Sequence, residues 1–417
     1  MSDSRVGVDP GVRRGDGEIR RDRAEIKRDR AEIKRDRAEI KRDRGKIKRD
    51  GGKIGRVDGA TLERVRPAMR LGPMSLVWRP GMVLIVVILA VVLFAAFCWD
   101  VAQGDSQIPL SRVLDVLTGG GTRSQRFIIL DSRLPRALTA VLVGAALGIS
   151  GAITQSILHN PLASPDMLGI TTGASVGAVA VIVGTGATTG FAATVGAPLA
   201  ALVCGLLTAA VIYLLAWGRS RTGESGATGL RLVLIGIGVN AVMVAALSWL
   251  VARASLLDAM RAQQWLTGSL NAVDKAKLVP TALALALVVV VAVVSARTLA
   301  ALRLGTETTR MLGVRIQSQQ ALLIGAAVVA ASVATAAVGP IAFVALAAPQ
   351  IARRLLRTPG EPLIGSALVG AIGVVGADVA ARTLFPVDLP AGIVTAACGG
   401  PFLLYLLVRM NRKATLS

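Results

Sequence analysis

The sequence predicts an all-α polytopic membrane protein of about ten transmembrane helices, with both termini cytoplasmic. Three observations carry that expectation. The chain is 53% hydrophobic with a mean hydropathy of +0.61, more apolar surface than a soluble domain can cover. The stretch Ser132 to Gly173, SRLPRALTAVLVGAALGISGAITQSILHNPLASPDMLGITTG, reads as a charged collar, a spanning helix, a proline-closed turn and a second apolar helix. Outside the N-terminal arm, Lys and Arg flank the apolar runs rather than interrupt them, which marks the lipid–water boundary.

Taken in order, residues 1–78 form a basic, low-complexity cytoplasmic arm, and residues 79–413 form the transmembrane domain. Within the arm a heptapeptide recurs, as in Arg28-Asp29-Arg30-Ala31-Glu32-Ile33-Lys34 and again from Arg35 to Lys41. Ala31 and Ile33 are two apart, so no coiled-coil seam forms. The arm reads as a solvated, partly helical or disordered segment, with a membrane-surface tether as the competing reading.

The first span is Gly81 to Trp99. Arg70 and Arg79 precede it and Asp100 follows, which puts the N-terminus in the cytoplasm. It lies too deep for a cleaved signal peptide. Residues 100–133 are an outside loop with an amphipathic helix around Leu110–Leu117. Spans follow at 134–158, 167–184, 191–217, 231–252 and 277–296. A span of about 20 apolar residues crosses a ~30 Å hydrocarbon core. Gly144, Ala145, Ala146, Gly148, Ser150, Gly151 and Ala152 let neighbouring helices approach the second span closely. Residues 297–319 are Arg-rich and predict two short cytoplasmic helices broken at Gly305 and Gly313. A seventh span covers 320–338, a shorter eighth element starts at Gly339-Pro340, and the ninth and tenth run over 362–384 and 390–408.

Net charge is +21; roughly +10 of it lies before the first apolar run, from about 24 Lys/Arg against about 14 Asp/Glu. The basic residues elsewhere border spans, so lipid headgroups are the expected electrostatic partner and nucleic acid is not. Cys98, Cys204 and Cys398 lie apart inside apolar runs and read as packing residues. His159 is the one histidine, which leaves no His-based metal site or catalytic triad. Gly45-Lys46 and Gly52-Lys53 lack the rest of a phosphate-binding loop. Carboxylates are scarce within the spans, Asp378 being the main one, so an ion-coupled carrier is disfavoured and energy is expected from a separate subunit. Arg133, Arg136 and Arg382 fall on the outer side against the charge bias. They read as exposed docking points for carboxylates of a partner or as headgroup-snorkelling side chains, and Asp378 is placed to pair Arg382 within one helix.

Four stretches together resemble the permease subunits of binding-protein-dependent ABC importers for iron–siderophore complexes and vitamin B12. They are Arg133-Leu134-Pro135-Arg136 with Asn160-Pro161-Leu162-Ala163-Ser164-Pro165; Trp265 to Leu270; Leu302 to Gly313; and Gly339-Pro340 through Asp378, Arg382 and Leu389-Pro390-Ala391-Gly392-Ile393. The resemblance covers about 81–410 and none of the arm.

It implies ten helices per subunit and a second permease subunit, homo- or heterodimeric. It also implies two cytoplasmic ATPase subunits that carry the ATP, and an extracytoplasmic siderophore-binding protein. No cofactor is expected on this chain, and no covalent chemistry. By the same resemblance Arg133, Arg136 and Arg382 dock the binding protein. Leu302, Gly305, Glu307, Arg310, Leu312 and Gly313 belong to the segment that couples to the ATPase. Thr228, Arg231 and Asn240 fall at the gate or pathway, and Asn160, Pro161 and Pro165 form a structural turn. The chain departs from the pattern at Ala345, Gln350, Thr306 and His159. Ala345, Gln350 and Asp166 lean the cargo towards a ferric siderophore over vitamin B12; a vitamin B12 or heme importer permease of the same family is the alternative. The expected setting is the cytoplasmic membrane of a bacterium. A secondary carrier and a protein merely anchored by its spans are the readings from other classes.

Overall fold

The computed structural model describes residues 80–104, 108–185, 195–219, 225–227, 229–271, 273, 275–302, 306–311, 313 and 316–414, with Lys34, 68–71 and 74–77. The chain divides into units 1–78 and 79–417. In the first, β1 (Ala68–Leu71) and β2 (Met74–Val77) form an antiparallel ladder pairing Ala68 with Val77 and Leu71 with Met74. The heptapeptide arm lies outside the described residues except for helical Lys34.

The second unit is helical. Its elements are α1 (Pro80–Ala102), α2 (Leu110–Leu117), α3 (Leu134–Leu158), α4 (Ile170–Thr185), α5 (Ala197–Ala216), α6 (Gly229–Arg253), α7 (Leu256–Leu266), α8 (Lys275–Val294), α9 (Ala296–Leu302), α10 (Thr306–Met311), α11 (Ile316–Val338), α12 (Val344–Leu355), α13 (Leu363–Thr383) and α14 (Ala391–Ala414). A two-stranded ladder, β3 (Trp217–Arg219) with β4 (Ser225–Ala227), lies between α5 and α6. Among the described residues eight helices are long and apolar enough to cross a membrane. The expected third and eighth spans are the shorter ones. α4 has 16 residues, and α12 has 12, roughly 18 Å at 1.5 Å per residue. Residues that the sequence assigned to the start of the third span instead form the turn ahead of α4.

α3 is the centre of the unit. The apolar 18-residue window of the helical stretch Arg123–Leu158, to which α3 belongs, is 83% buried, against 67% for the window of α11 and 0% for that of α1. Glycine explains the difference. A Cβ on Gly144 would lie 2.4 Å from the Gly370 carbonyl oxygen, one on Gly148 2.1 Å from that of Ser366, and one on Gly151 1.7 Å from that of Ala345. The first two contacts run antiparallel along α13, and the third fixes α12 beside α3. Small residues let these backbones touch, which is how helices associate in lipid without a hydrophobic driving force. The main core gathers Val143, Leu147 and Ile153 of α3 with Leu323 of α11 and Val374 of α13.

α7 was not expected. Ser255 caps it by accepting from the Asp258 N–H at 3.2 Å, a strong local start signal within what reads as a loop. The expected helix at Leu110–Leu117 is present, with Val113 and Val116 turned into a satellite core with Val101 and Ile129.

Candidate functional site

At the end where α1 finishes and α3 begins, five charged residues meet. α3 continues without a break from a π-helical turn over Phe127–Arg133, and Pro135, which has no N–H to offer the preceding turn, falls just where that wider turn hands over to α3; Arg133 and Arg136 flank this junction. Arg133 donates from Nη1 to the carbonyls of Val101 (3.2 Å) and Ala102 (3.0 Å), closing the C-terminus of α1, where backbone acceptors are otherwise unpaired. Gly104 makes room: a Cβ there would sit 2.6 Å from the guanidinium. Arg136 forks onto Asp378, Nε to Oδ2 at 2.9 Å and Nη2 to Oδ1 at 2.8 Å. Arg382 shares Asp378 Oδ2 with Arg136 Nε, at 3.1 Å, and reaches the Gln103 carbonyl at 3.2 Å and the Asp100 carboxylate. The intrahelical Asp378–Arg382 pair is therefore present.

Exposure is corrected. Arg133 is 8% exposed as a residue, and the Arg136 and Arg382 side chains are 19% and 11% exposed. The reason is local: two buried carboxylates and the end of α1 draw the guanidiniums inward, since a buried charge must be paired. Asp100 was legible only as the acidic end of the first apolar run; its partner lies 282 positions away.

Just inside this end the other matching stretches interlock. Ser269 N–H donates to Val338 O at 2.8 Å and Gly392 N–H to Gly268 O at 3.0 Å. Gly268 and Gly339 have φ of +68° and +79°, and a Cβ on Gly339 would lie 2.4 Å from Trp265 O. Trp265 to Leu270, Gly339-Pro340 and Ala391-Gly392 thus share one joint.

At the opposite end α3 stops at His159, in the left-handed region with φ 49°. Asn160 Oδ1 accepts from Leu162 N–H at 3.0 Å, the turn that asparagine makes readily. Pro161 and Pro165 hold that turn, with the Pro165 carbonyl accepting from Ile170 N–H at 3.3 Å. His159 Nδ1 faces Ile157 O (3.1 Å) and Nε2 faces Leu302 O (3.0 Å). The last residue of α9 therefore hangs from the turn after α3. Thr309 Oγ1 donates to Ala301 O at 2.7 Å and pins α10 to α9, so the expected pair of short helices is there. Leu302 is buried and Gly313 turns with φ +77°. Gly305 and Leu312 lie outside the described residues, as do the side chains of Glu307 and Arg310.

The departures Ala345 and Gln350 both lie where α12 meets α3. Gln350 Nε2 donates to Gln155 Oε1 at 2.6 Å, and Gln155 Nε2 donates to Leu346 O at 3.1 Å. Beside them Glu361 accepts from Ser156 and from Arg353, each at 3.2 Å. Asp166, in the turn before α4, is pushed up to about 6 by desolvation, with the Thr171 side chain pulling the other way.

The expected gate residues are not gathered. Thr228 lies outside the described residues. Arg231, in the first turn of α6, lays its guanidinium over Gly218. Asn240 is nine positions on, roughly 14 Å along the helix axis. It packs on Gly169, and its Oδ1 is buried with no partner among the described residues.

Residues 88–409 match the model of the FecCD transport family. The chain is 40% identical to the ferric enterobactin transport system permease protein FepG of Escherichia coli (strain K12), over 76% of this chain and 92% of the relative. It is 39% identical to the achromobactin transport system permease protein CbrC of Dickeya dadantii (strain 3937), over 72% and 84%. It is 35% identical to the vitamin B12 import system permease protein BtuC of Salmonella paratyphi A, over 67% and 83%. A solved metal-chelate type ABC transporter in an inward-facing conformation superposes with a TM-score of 0.66 at 25% identity, covering 78% of this chain and 99% of that one.

Proposed function

The chain belongs to the FecCD transport family, and from that premise we propose that it is the permease subunit through which an ABC importer moves a ferric siderophore across the cytoplasmic membrane. It is a transport subunit, not an enzyme; ATP is bound and hydrolysed on two partner subunits, and a second permease completes the pathway. Both termini face the cytoplasm, the arginine cluster faces outward, and α9–α10 face the ATPases. The ferric enterobactin named for FepG and the achromobactin named for CbrC support the choice of cargo.

The observation that carries the mechanism is that one buried helix joins the two ends. α3 is 25 residues long, roughly 38 Å at 1.5 Å per residue. Its first turn holds Arg136, and the residue closing its last turn holds Leu302 of α9. Rigid packing against α13 and α12 makes it a strut, so motion of the short-helix pair reaches the outer cluster without a flexible link. The cluster has three guanidiniums and two carboxylates, and keeps an excess of positive charge for an acidic binding protein. An incoming carboxylate competes there with Asp100 and Asp378 for Arg136 and Arg382.

The test is uptake of radiolabelled ferric siderophore in a strain lacking this chain, together with copurification of an ATPase. The expected result is uptake restored by the wild type, an ATPase in the complex, and no competition by cyanocobalamin. Competition by cyanocobalamin would move the cargo to vitamin B12. Uptake that persists without an ATPase and follows an ion gradient would replace the importer with a secondary carrier.

A further inference from the structure

We propose that the groove between α12, α13 and α14 is a binding site for an anionic phospholipid, with an acyl chain in the groove and the phosphate on Arg354 and Arg409. The groove encloses about 470 Å³, within the ~300–1,000 Å³ of ordinary small-molecule sites. Its walls are mostly apolar or bare backbone, including Val344, Ile351, Ile372, Gly373, Val394 and Phe402, and the Thr395 hydroxyl among them is spent on the Gly392 carbonyl at 3.0 Å. Such a wall suits a hydrocarbon chain and offers a polar cargo nothing to hold.

The charge at its mouth selects the headgroup. Arg354 lies one turn beyond Ile351, with its guanidinium carbon 5.8 Å from the Phe402 ring centre and 5.5 Å from that of Tyr405. Arg409 lies 5.9 Å from the same Tyr405 ring and donates to its hydroxyl at 2.7 Å. Two guanidiniums thus share one aromatic ring, and among the described residues neither has a carboxylate partner. Their neighbour Arg353 does, in Glu361. The C-terminal dipole of α12 supplies only about half a negative charge against two full positive ones. A phosphodiester completes the balance: guanidiniums bind it by paired hydrogen bonds, and the aromatic rings already hold both cations in place. Phe402 belongs to both the groove wall and the cation site, so chain and headgroup positions are continuous.

The test uses the full chain purified with its partner subunits, delipidated, and titrated with phosphatidylglycerol or phosphatidylcholine under native mass spectrometry. The expected result is preferential retention of phosphatidylglycerol. Arg354→Gln/Arg409→Gln reduces that retention by roughly 25-fold, about fivefold per arginine at an anionic lipid. Gly373→Leu fills the groove, because a Cβ there meets nothing within 4 Å; it loses both lipids, while Gly373→Ala keeps them. Cys398, an exposed thiol on the groove wall, becomes slower to alkylate when phosphatidylglycerol is added, and inorganic phosphate alone gives no protection. Equal retention by the double arginine variant and the wild type overturns the proposal. So does protection by free phosphate, which would make the site an anion site without a lipid. Oxidative linkage of two copies through Cys398 would assign the groove to a second copy of the chain.

Discussion

Removing Asp378 tests the charge cluster most sharply. Its carboxylate is 1% exposed and receives two hydrogen bonds from Arg136 and an ion pair from Arg382. Asp378→Asn keeps the volume but leaves Arg136 and Arg382 sharing only Asp100, in a setting where neither guanidinium has much water. Breaking a buried pair from one side costs about 3–5 kcal/mol. Arg136→Gln costs less, roughly 1–2 kcal/mol, because Asp378 keeps Arg382 and the cost is one lost charge-assisted bond pair. Replacing both partners together, Arg136→Met/Asp378→Leu, removes the stranded charge and is expected within about 1 kcal/mol of wild type. The assay is reversible unfolding in mixed micelles, followed by helical circular dichroism, with Arg136→Met and Asp378→Leu also measured singly to close the double-mutant cycle. A cost for Asp378→Asn at or below that of Arg136→Gln would refute the geometry. So would a double variant as unstable as the sum of its parts.

Four further outcomes follow from the structure. Gly148→Ala drives a methyl group into the Ser366 carbonyl and is expected to cost about 1–3 kcal/mol by overpacking, whereas Gly373→Ala meets open space and gains up to about 1 kcal/mol of helix propensity; the same unfolding assay separates them. Asp166 binds its proton more tightly folded, at about 6 against an ordinary 3.8. Its contribution is therefore full below about pH 4 and lost as pH rises through about 6, by at most roughly 3 kcal/mol, and Asp166→Asn should flatten that slope in unfolding measured from pH 4 to 7. Gln350→Leu strands the Gln155 carbonyl and should lower stability by about 1–3 kcal/mol, with Gln155→Leu/Gln350→Leu recovering most of the loss. Deleting residues 1–70 should leave siderophore uptake largely intact, because the family match begins at residue 88; lost uptake with normal membrane levels of the truncated chain would give the arm a working part in transport.

Much of the architecture was legible because lipid imposes it locally. Apolar length, flanking arginines and punctuation by Asn160-Pro161 and Gly339-Pro340 are properties of neighbouring residues, and the long helices follow from them. Boundaries, not length, moved at α4 and at α12: the eighth element is short, as expected, but begins at Val344 and not at Gly339-Pro340. There apolar residues continue past the helix ends but are spent on turns, at Asp166–Gly169 and at Ile341–Phe343, where Phe343 itself takes φ 66°. α7 was missed because its signal is a single serine cap.

The candidate sites divide the same way. That Arg133, Arg136 and Arg382 matter could be read from their position against the charge bias. What they do in the folded chain could not, because Asp100, Arg136 and Asp378 come from three helices far apart in sequence. Likewise nothing local ties His159 to Leu302, or puts Arg354 and Arg409 on one tyrosine ring. The sequence by itself determined the membrane class, the spans and the residues available for each task, since partition into lipid depends on composition over a short window. Only the tertiary structure decided which charges neutralise one another and which remain uncompensated. A charge in a low-dielectric interior is set by what lies within a few ångströms of it, and close packing of glycine-faced helices, not order along the chain, chooses those neighbours.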